Sequence, residues 1–129
     1  MTARPLPPAS LAALRALAAL HESCADPARL RLLNLLAAGE LCVCDLVELS
    51  AQSQPFVSRH LARLRAAGVV DVRRSGRFAY YRISPTLAPP LAEQLAAVLA
   101  SLAASSASLR AERRAALGAV RRRDAMPCA

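Results

Sequence analysis

Residues 43–67 read VCDLVELSAQSQPFVSRHLARLRAA, and this stretch decides the fold. Val43 to Ser50 carries Leu46, Val47 and Leu49 as a short amphipathic run. Ala51-Gln52-Ser53 breaks the pattern. A second helix is predicted from Gln54-Pro55 to about Ala67, where Gly68 stops it. Two helices joined by three or four residues have the form of a helix-turn-helix. On a wheel of about 100° per residue, Val57, Leu61 and Leu64 gather on one side as a core face. Arg59, Ala62, Arg63 and Ala66 fall opposite, with Ser58 and His60 on the flanks. Small residues and arginines facing outward suit a helix that enters a major groove and presents Arg to guanine or phosphate. Gln52, Ser53 and Gln54 stand at its N-terminus, where backbone N–H groups and short polar side chains hold phosphate.

Downstream, Val69 to Arg74 and Arg77 to Ile83 are two β-rich runs around Ser75-Gly76, which predicts a hairpin. A hairpin directly after a helix-turn-helix is a wing. Arg73, Arg74 and Arg77 flank its turn and are expected to reach the adjacent DNA backbone or minor groove. Upstream, Asp26-Pro27 caps and opens a helix over about 27–38, with Leu30, Leu33 and Leu36 or Ala37 inward and Gly39 at its end. Ser10 to His21 is a Leu- and Ala-rich helix. After Pro85, Pro89 and Pro90, the residues Leu91, Leu95, Val98 and Leu102 step by four, three and four as a short coiled-coil-like seam. The expected organisation is an arm over 1–9, a winged helix-turn-helix over 10–104, and a C-terminal helix with a loose tail over 105–129. The fold class is mainly α with a β-hairpin wing. The first helix and the 90–104 helix carry more Leu and Ala than one winged domain buries, so they are expected to join two copies in a homodimer.

At 129 residues with a formal charge of +8, all of the basic side chains being Arg, the chain favours a polyanionic partner, double-stranded DNA first. GC-rich coding accounts for the choice of Arg over Lys but not for the excess of positive charge. No apolar run approaches the roughly 18 residues of a membrane helix. The first eight residues hold one Arg and then prolines with no apolar h-region, so the expected compartment is the cytoplasm.

Cys24, Cys42, Cys44 and Cys128 are the four cysteines. Cys42 and Cys44 stand too close in sequence for an easy mutual bridge, and reduced thiols are expected. On a regular helix an i, i+2 pair lies about 200° apart and cannot grip one ion. In an extended segment both side chains point the same way. A chelated ion is therefore expected to distort the first turn of the helix that follows, and to move the recognition helix packed on it. A helix N-terminus favours the thiolate, and thiolates select soft ions. The plain alternative is two small buried apolar residues.

The runs Glu40-Leu41-Cys42-Val43-Cys44-Asp45-Leu46, Gln52-Ser53-Gln54-Pro55, Ser58-Arg59-His60-Leu61 and Tyr81-Arg82-Ile83-Ser84-Pro85 resemble the ArsR/SmtB metalloregulators over residues 20–90. The resemblance implies a homodimeric winged-helix repressor that leaves its operator when As(III) or Sb(III) binds Cys42 and Cys44. The arsenic-responsive type often reads Cys-Val-Cys-Asp-Leu-Cys; here Val47 stands at the third position. A third sulfur would come from Cys24, Cys128 or a thiol in solution. Relatives that sense Cd, Pb or Zn add cysteines from an N-terminal arm or ligands on the helix after the wing. Residues 1–10 hold no Cys, and residues 85–104 offer only Glu93. A Cd/Pb/Zn-responsive repressor and a redox- or persulfide-responsive one stay as alternatives on the same scaffold. A thiol enzyme of the arsenate reductase or phosphatase type needs Cys-x5-Arg, and Arg29 and Arg31 both miss that offset from Cys24. The chain is read as a regulator, not an enzyme.

Overall fold

The computed structural model describes residues 4–125. The elements are α1 (Pro8–Ser23), α2 (Pro27–Leu36), β1 (Leu41–Cys42), α3 (Val43–Ser50), α4 (Gln54–Ala66), β2 (Val70–Ser75), β3 (Phe78–Ile83), α5 (Pro89–Ser105) and α6 (Ala107–Ala125). The strands form one antiparallel sheet in the order β1-β3-β2. Val72 pairs with Tyr81 in the hairpin, and Cys42 pairs with Tyr80 on its other edge. This is the winged helix-turn-helix that the periodicities predict. The two-residue strand β1 is the element they do not show.

Helix α2 is the centre of the fold and packs against α3, α4, α5 and α6. The Asp26 carboxylate caps it by accepting the Arg29 N–H at 3.1 Å. Leu33 and Leu36 are buried as expected, but so are Leu32, Leu35, Asn34 and Arg29. Leu30, expected inward, is only half-buried, and of the alternatives Leu36 and Ala37 it is Leu36 that turns in. A helix surrounded on most sides buries more than one stripe. Its polar residues inside are satisfied. Arg29 Nε donates to Ser23 O at 3.2 Å and Nη2 to Glu22 O at 2.7 Å, tying down the end of α1. Asn34 Nδ2 donates to Leu109 O at 3.0 Å, while Asn34 Oδ1 accepts from Arg113 at 3.1 and 2.7 Å.

Helix α3 ends at Ala51, which adopts a left-handed backbone with φ of 56°. That conformation costs an L-residue roughly 1–2 kcal/mol, and it swings the chain into α4. Ser53 caps α4, and Val57, Leu61 and Leu64 are fully buried on its inner face, each worth about 1.5–3 kcal/mol. Helix α6 lies against α2, α3, α5 and β1 and buries Ala116 and Ala119. Gly39 has a φ of 143°, and a Cβ there would stand 3.2 Å from the Val120 side chain, so glycine allows both the turn and the approach of α6. Helix α1 packs on α5, yet Leu11 and Leu14 stay exposed. On α5 only Leu95 of the four seam residues is buried; the other three are half-buried.

Candidate thiol site and nucleic-acid interface

Cys42 and Cys44 meet where β1 runs into α3. Cys42 is the last residue of the strand and the N-cap of the helix, with extended backbone (φ −77°, ψ 161°), and Cys44 lies in the helix's first turn. The Cα atoms are 5.3 Å apart and the sulfurs are joined as a disulfide. Two expectations are corrected here. The pair is bridged instead of reduced, because an extended cap residue followed by a helical one brings i and i+2 within bridging distance. The first turn of α3 also needs no distortion for the sulfurs to meet, because the 200° separation applies only when both residues are helical.

The cap is reciprocal. The Asp45 N–H donates to Cys42 Sγ at 3.3 Å, and the Cys42 N–H donates to Asp45 Oδ2 at 3.3 Å. Cysteine here takes the place that Ser or Thr holds in a capping box. Cys42 is buried, whereas Cys44 is exposed. Beside the pair opens a cleft of about 290 Å³, walled by Phe78, Tyr80 and Ala119 and by the arginines Arg122 and Arg123. Among the described residues, Cys42, Cys44 and Asp45 are the one group of three potential ligands, all within 4.8 Å of one another. Soft trivalent ions take thiolate sulfur, so the pair fits one in its reduced form. Cys24 lies apart at the C-cap of α1, where burial pushes its thiol up and Arg29 partly offsets the effect. Cys128 lies outside the described residues.

Three residues at this site escape sequence reasoning: Glu40, Tyr80 and Arg123. The Glu40 carboxylate binds Arg73 of the wing at 2.7 Å and lies 3.8 Å from Arg123, which also donates to the Glu40 carbonyl. The two guanidinium carbons sit 4.6 and 5.3 Å from the Tyr80 ring centroid. The hydrogen bond from Arg73 holds the Glu40 carboxyl below the usual range, aided by charge from Arg73, Arg123 and Arg82. The Glu40–Arg73, Tyr80–Arg123 and Glu40–Arg123 contacts join residues 33, 43 and 83 positions apart, and no local pattern carries that signal.

The polar face of α4 is laid out as expected. Arg59, Ala62, Arg63 and Ala66 are exposed, and Gln52, Ser53 and Gln54 stand exposed at its start. The Gln54 amide donates to Ser58 Oγ at 3.0 Å, and the Arg59 guanidinium lies 5.6 Å over the Phe56 ring. Arg74 and Arg77 are exposed at the wing tip. Two residues stand differently. His60 turns inward against Phe56, ring centroids 4.6 Å apart, with Nδ1 3.8 Å from Asp26. Arg73 is drawn back to Glu40.

Comparison with known proteins supplies the family. The model described as bacterial regulatory protein, arsR family, matches residues 26–72, which run from the α2 cap into the wing. The arsenic resistance transcriptional regulator ArsR1 of Pseudomonas putida is 52% identical over 62 residues, 47% of this chain and 48% of that protein. The match therefore spans about half of that relative. The homodimeric winged helix-turn-helix DNA-binding domain Mb0332 from Mycobacterium bovis, a possible ArsR-family regulator, superposes with a TM-score of 0.63 at 28% identity, over 77% of this chain and 89% of that one. The AntR antimony-specific transcriptional repressor gives a TM-score of 0.60 at 29% identity, over 81% and 91%. No single helix among the described residues is long and apolar enough to cross a membrane. On fold and sequence together, the chain belongs to the ArsR family of bacterial regulatory proteins.

Proposed function

We propose that this chain is a metalloid-responsive repressor that binds operator DNA as a homodimer and releases it when As(III) or Sb(III) binds Cys42 and Cys44. The observation that carries the reading is the position of the pair: the buried sulfur of Cys42 is itself the N-cap of the first helix of the helix-turn-helix. A ligand on that sulfur competes with the Asp45 N–H for its electron pairs. The cap of α3 weakens, and α4 packs directly on α3. The metalloid named for ArsR1 and for AntR supports the choice of inducer. Gln52, Ser53, Gln54, Ser58, Arg59, Arg63, Arg74 and Arg77 form the face that meets DNA, with Arg73 joining once it leaves Glu40 and His60 supporting α4 from behind. The exposed Leu11 and Leu14 of α1, beside α5, supply the dimer surface, which would set two recognition helices about one DNA turn apart.

A second reading is favoured by the Cys42–Cys44 bond itself. In it, oxidation of the pair is the signal and no metalloid is needed. One experiment separates the two. Reduced protein on labelled operator is titrated with arsenite, antimonite and cadmium, then separately with peroxide and polysulfide. Release by arsenite or antimonite at stoichiometric concentration supports the first reading; release by oxidants alone supports the second. A stable monomer by sedimentation at micromolar concentration would remove the dimer from either.

A further inference from the structure

We infer that the cleft beside the cysteine pair is a docking site for a low-molecular-weight thiol bearing a carboxylate, which opens the Cys42–Cys44 bond. The inference concerns the same cysteines as the proposed function but does not rest on metalloid binding.

The two sulfurs are not equivalent. Cys44 is exposed toward the cleft and open to an incoming thiolate. Cys42 is buried, and its sulfur already accepts the Asp45 N–H at the start of α3. A helix N-terminus and an N–H donor stabilise a thiolate, and a better-stabilised thiolate leaves faster in exchange. Attack therefore falls on Cys44 Sγ. The new bond joins the small thiol to Cys44, the Cys42–Cys44 bond breaks, and its electron pair leaves on Cys42 as thiolate. A second small thiolate then attacks the sulfur of the first in the mixed disulfide. That step releases Cys44 as thiolate and yields the small-molecule disulfide. Two small thiols lose their protons and two electrons, and the pair gains the electrons.

The charge in the cleft selects among such thiols. Asp45 is engaged with the Cys42 N–H, Glu40 pairs with Arg73, and Arg123 pairs with Asp124 at 3.4 Å. Arg122 makes no ion pair among the described residues, and Gly118 leaves room for its guanidinium, 3.3 Å from where a Cβ would stand. The cation left over is thus Arg122, at the rim, while Phe78, Tyr80 and Ala119 form the apolar wall. A small thiol with a carboxylate meets both.

The test uses the full chain, oxidised at Cys42–Cys44 and free of metalloid. Loss of the bridge is followed by alkylation and mass spectrometry with mercaptoacetate, 2-mercaptoethanol or cysteamine. Each rate is divided by that thiol's rate on 2-hydroxyethyl disulfide, which removes differences in intrinsic nucleophilicity. Normalised rates should favour mercaptoacetate over cysteamine roughly tenfold at low salt, and salt should narrow the gap. Arg122→Gln should abolish the preference, Arg122→Lys keep it, and Arg114→Gln, elsewhere on α6, leave it intact. Equal normalised rates, a preference surviving Arg122→Gln, or an equal loss in Arg114→Gln would each overturn the assignment. Arsenite-driven operator release is measured independently and stands or falls without it.

Discussion

Replacing Cys42 tests whether its sulfur works as a cap or as apolar filling. In Cys42→Ala the Asp45 N–H loses its acceptor, a change worth about 1 kcal/mol at an N-cap. The same substitution removes a buried sulfur, worth roughly another 1 kcal/mol. Cys42→Ser gives up the apolar contact but supplies a hydroxyl, which serves an N-cap well. The expected order of stability is wild type, then Ser, then Ala, with about 1 kcal/mol between Ser and Ala. The comparison must be made in reductant, so that the bridge contributes nothing, and at one protein concentration, since assembly adds to apparent stability. For a urea slope of roughly 1–3 kcal/mol/M, the two midpoints should differ by about 0.5 M. The first helix of the helix-turn-helix also frays more in the Ala variant, so its operator affinity should fall below that of Ser. Neither variant should release operator with arsenite. If Ser is no more stable than Ala, the sulfur is filling, and the route from pair to recognition helix through the cap is wrong.

Arg63→Ala should weaken operator binding by about 1–3 kcal/mol if Arg63 reads a base; unchanged affinity in a binding titration would misplace the recognition helix. Arg77→Ala should weaken operator and random DNA alike and reduce the salt slope by about one. Asn34→Ala should cost about 3 kcal/mol in urea unfolding, since the buried side of Arg113 keeps only the Leu99 carbonyl, at 2.8 Å. Glu40 titrates lower in the folded chain than in the unfolded one, so its contribution to stability is present above the unfolded carboxyl pKa and is lost as pH falls through the folded one. Thermal melts across that acid window should therefore fall less steeply in Glu40→Gln. A Cys24→Ser/Cys128→Ser double variant should still release operator with arsenite, at higher concentration; complete loss of response would make a third protein sulfur obligatory.

What was legible in the chain followed period and chemistry. Val57, Leu61 and Leu64 recur at helical spacing against a polar remainder, so the core face of α4 can be read directly. Ser75-Gly76 between two β-rich runs marks the wing just as plainly. Helix α2 was less legible because the elements that surround it are distant in sequence. Asn34 is buried by α6, which brings Leu109 and Arg113 to it across 75 and 79 residues of chain. The docking of α6 itself depends on pairs such as Arg31 with Glu112, 2.6 Å apart in space and 81 residues apart in the chain.

The bridge between Cys42 and Cys44 was not legible for a related reason. Reading the pair as either helical or extended leaves out the junction, where one cysteine is each. Cap chemistry is ordinarily recognised by Ser, Thr, Asp or Asn, so Cys42 three residues before Asp45 carried no such signal. Once the cap is recognised, the site's two properties have one origin. The turn from β1 into α3 that brings the sulfurs together is the same turn that leaves the Asp45 N–H in need of an acceptor. Chemistry at the pair thus acts on a hydrogen bond that holds a two-turn helix, and that helix supports α4. Glu40 extends the connection in the other direction. It stands two residues before the cap and holds Arg73 of the wing with Arg123 of α6, so a shift of β1 reaches the wing and the cleft together. The wing is therefore paired directly with the strand that carries Cys42, and α4 is reached from that strand through α3.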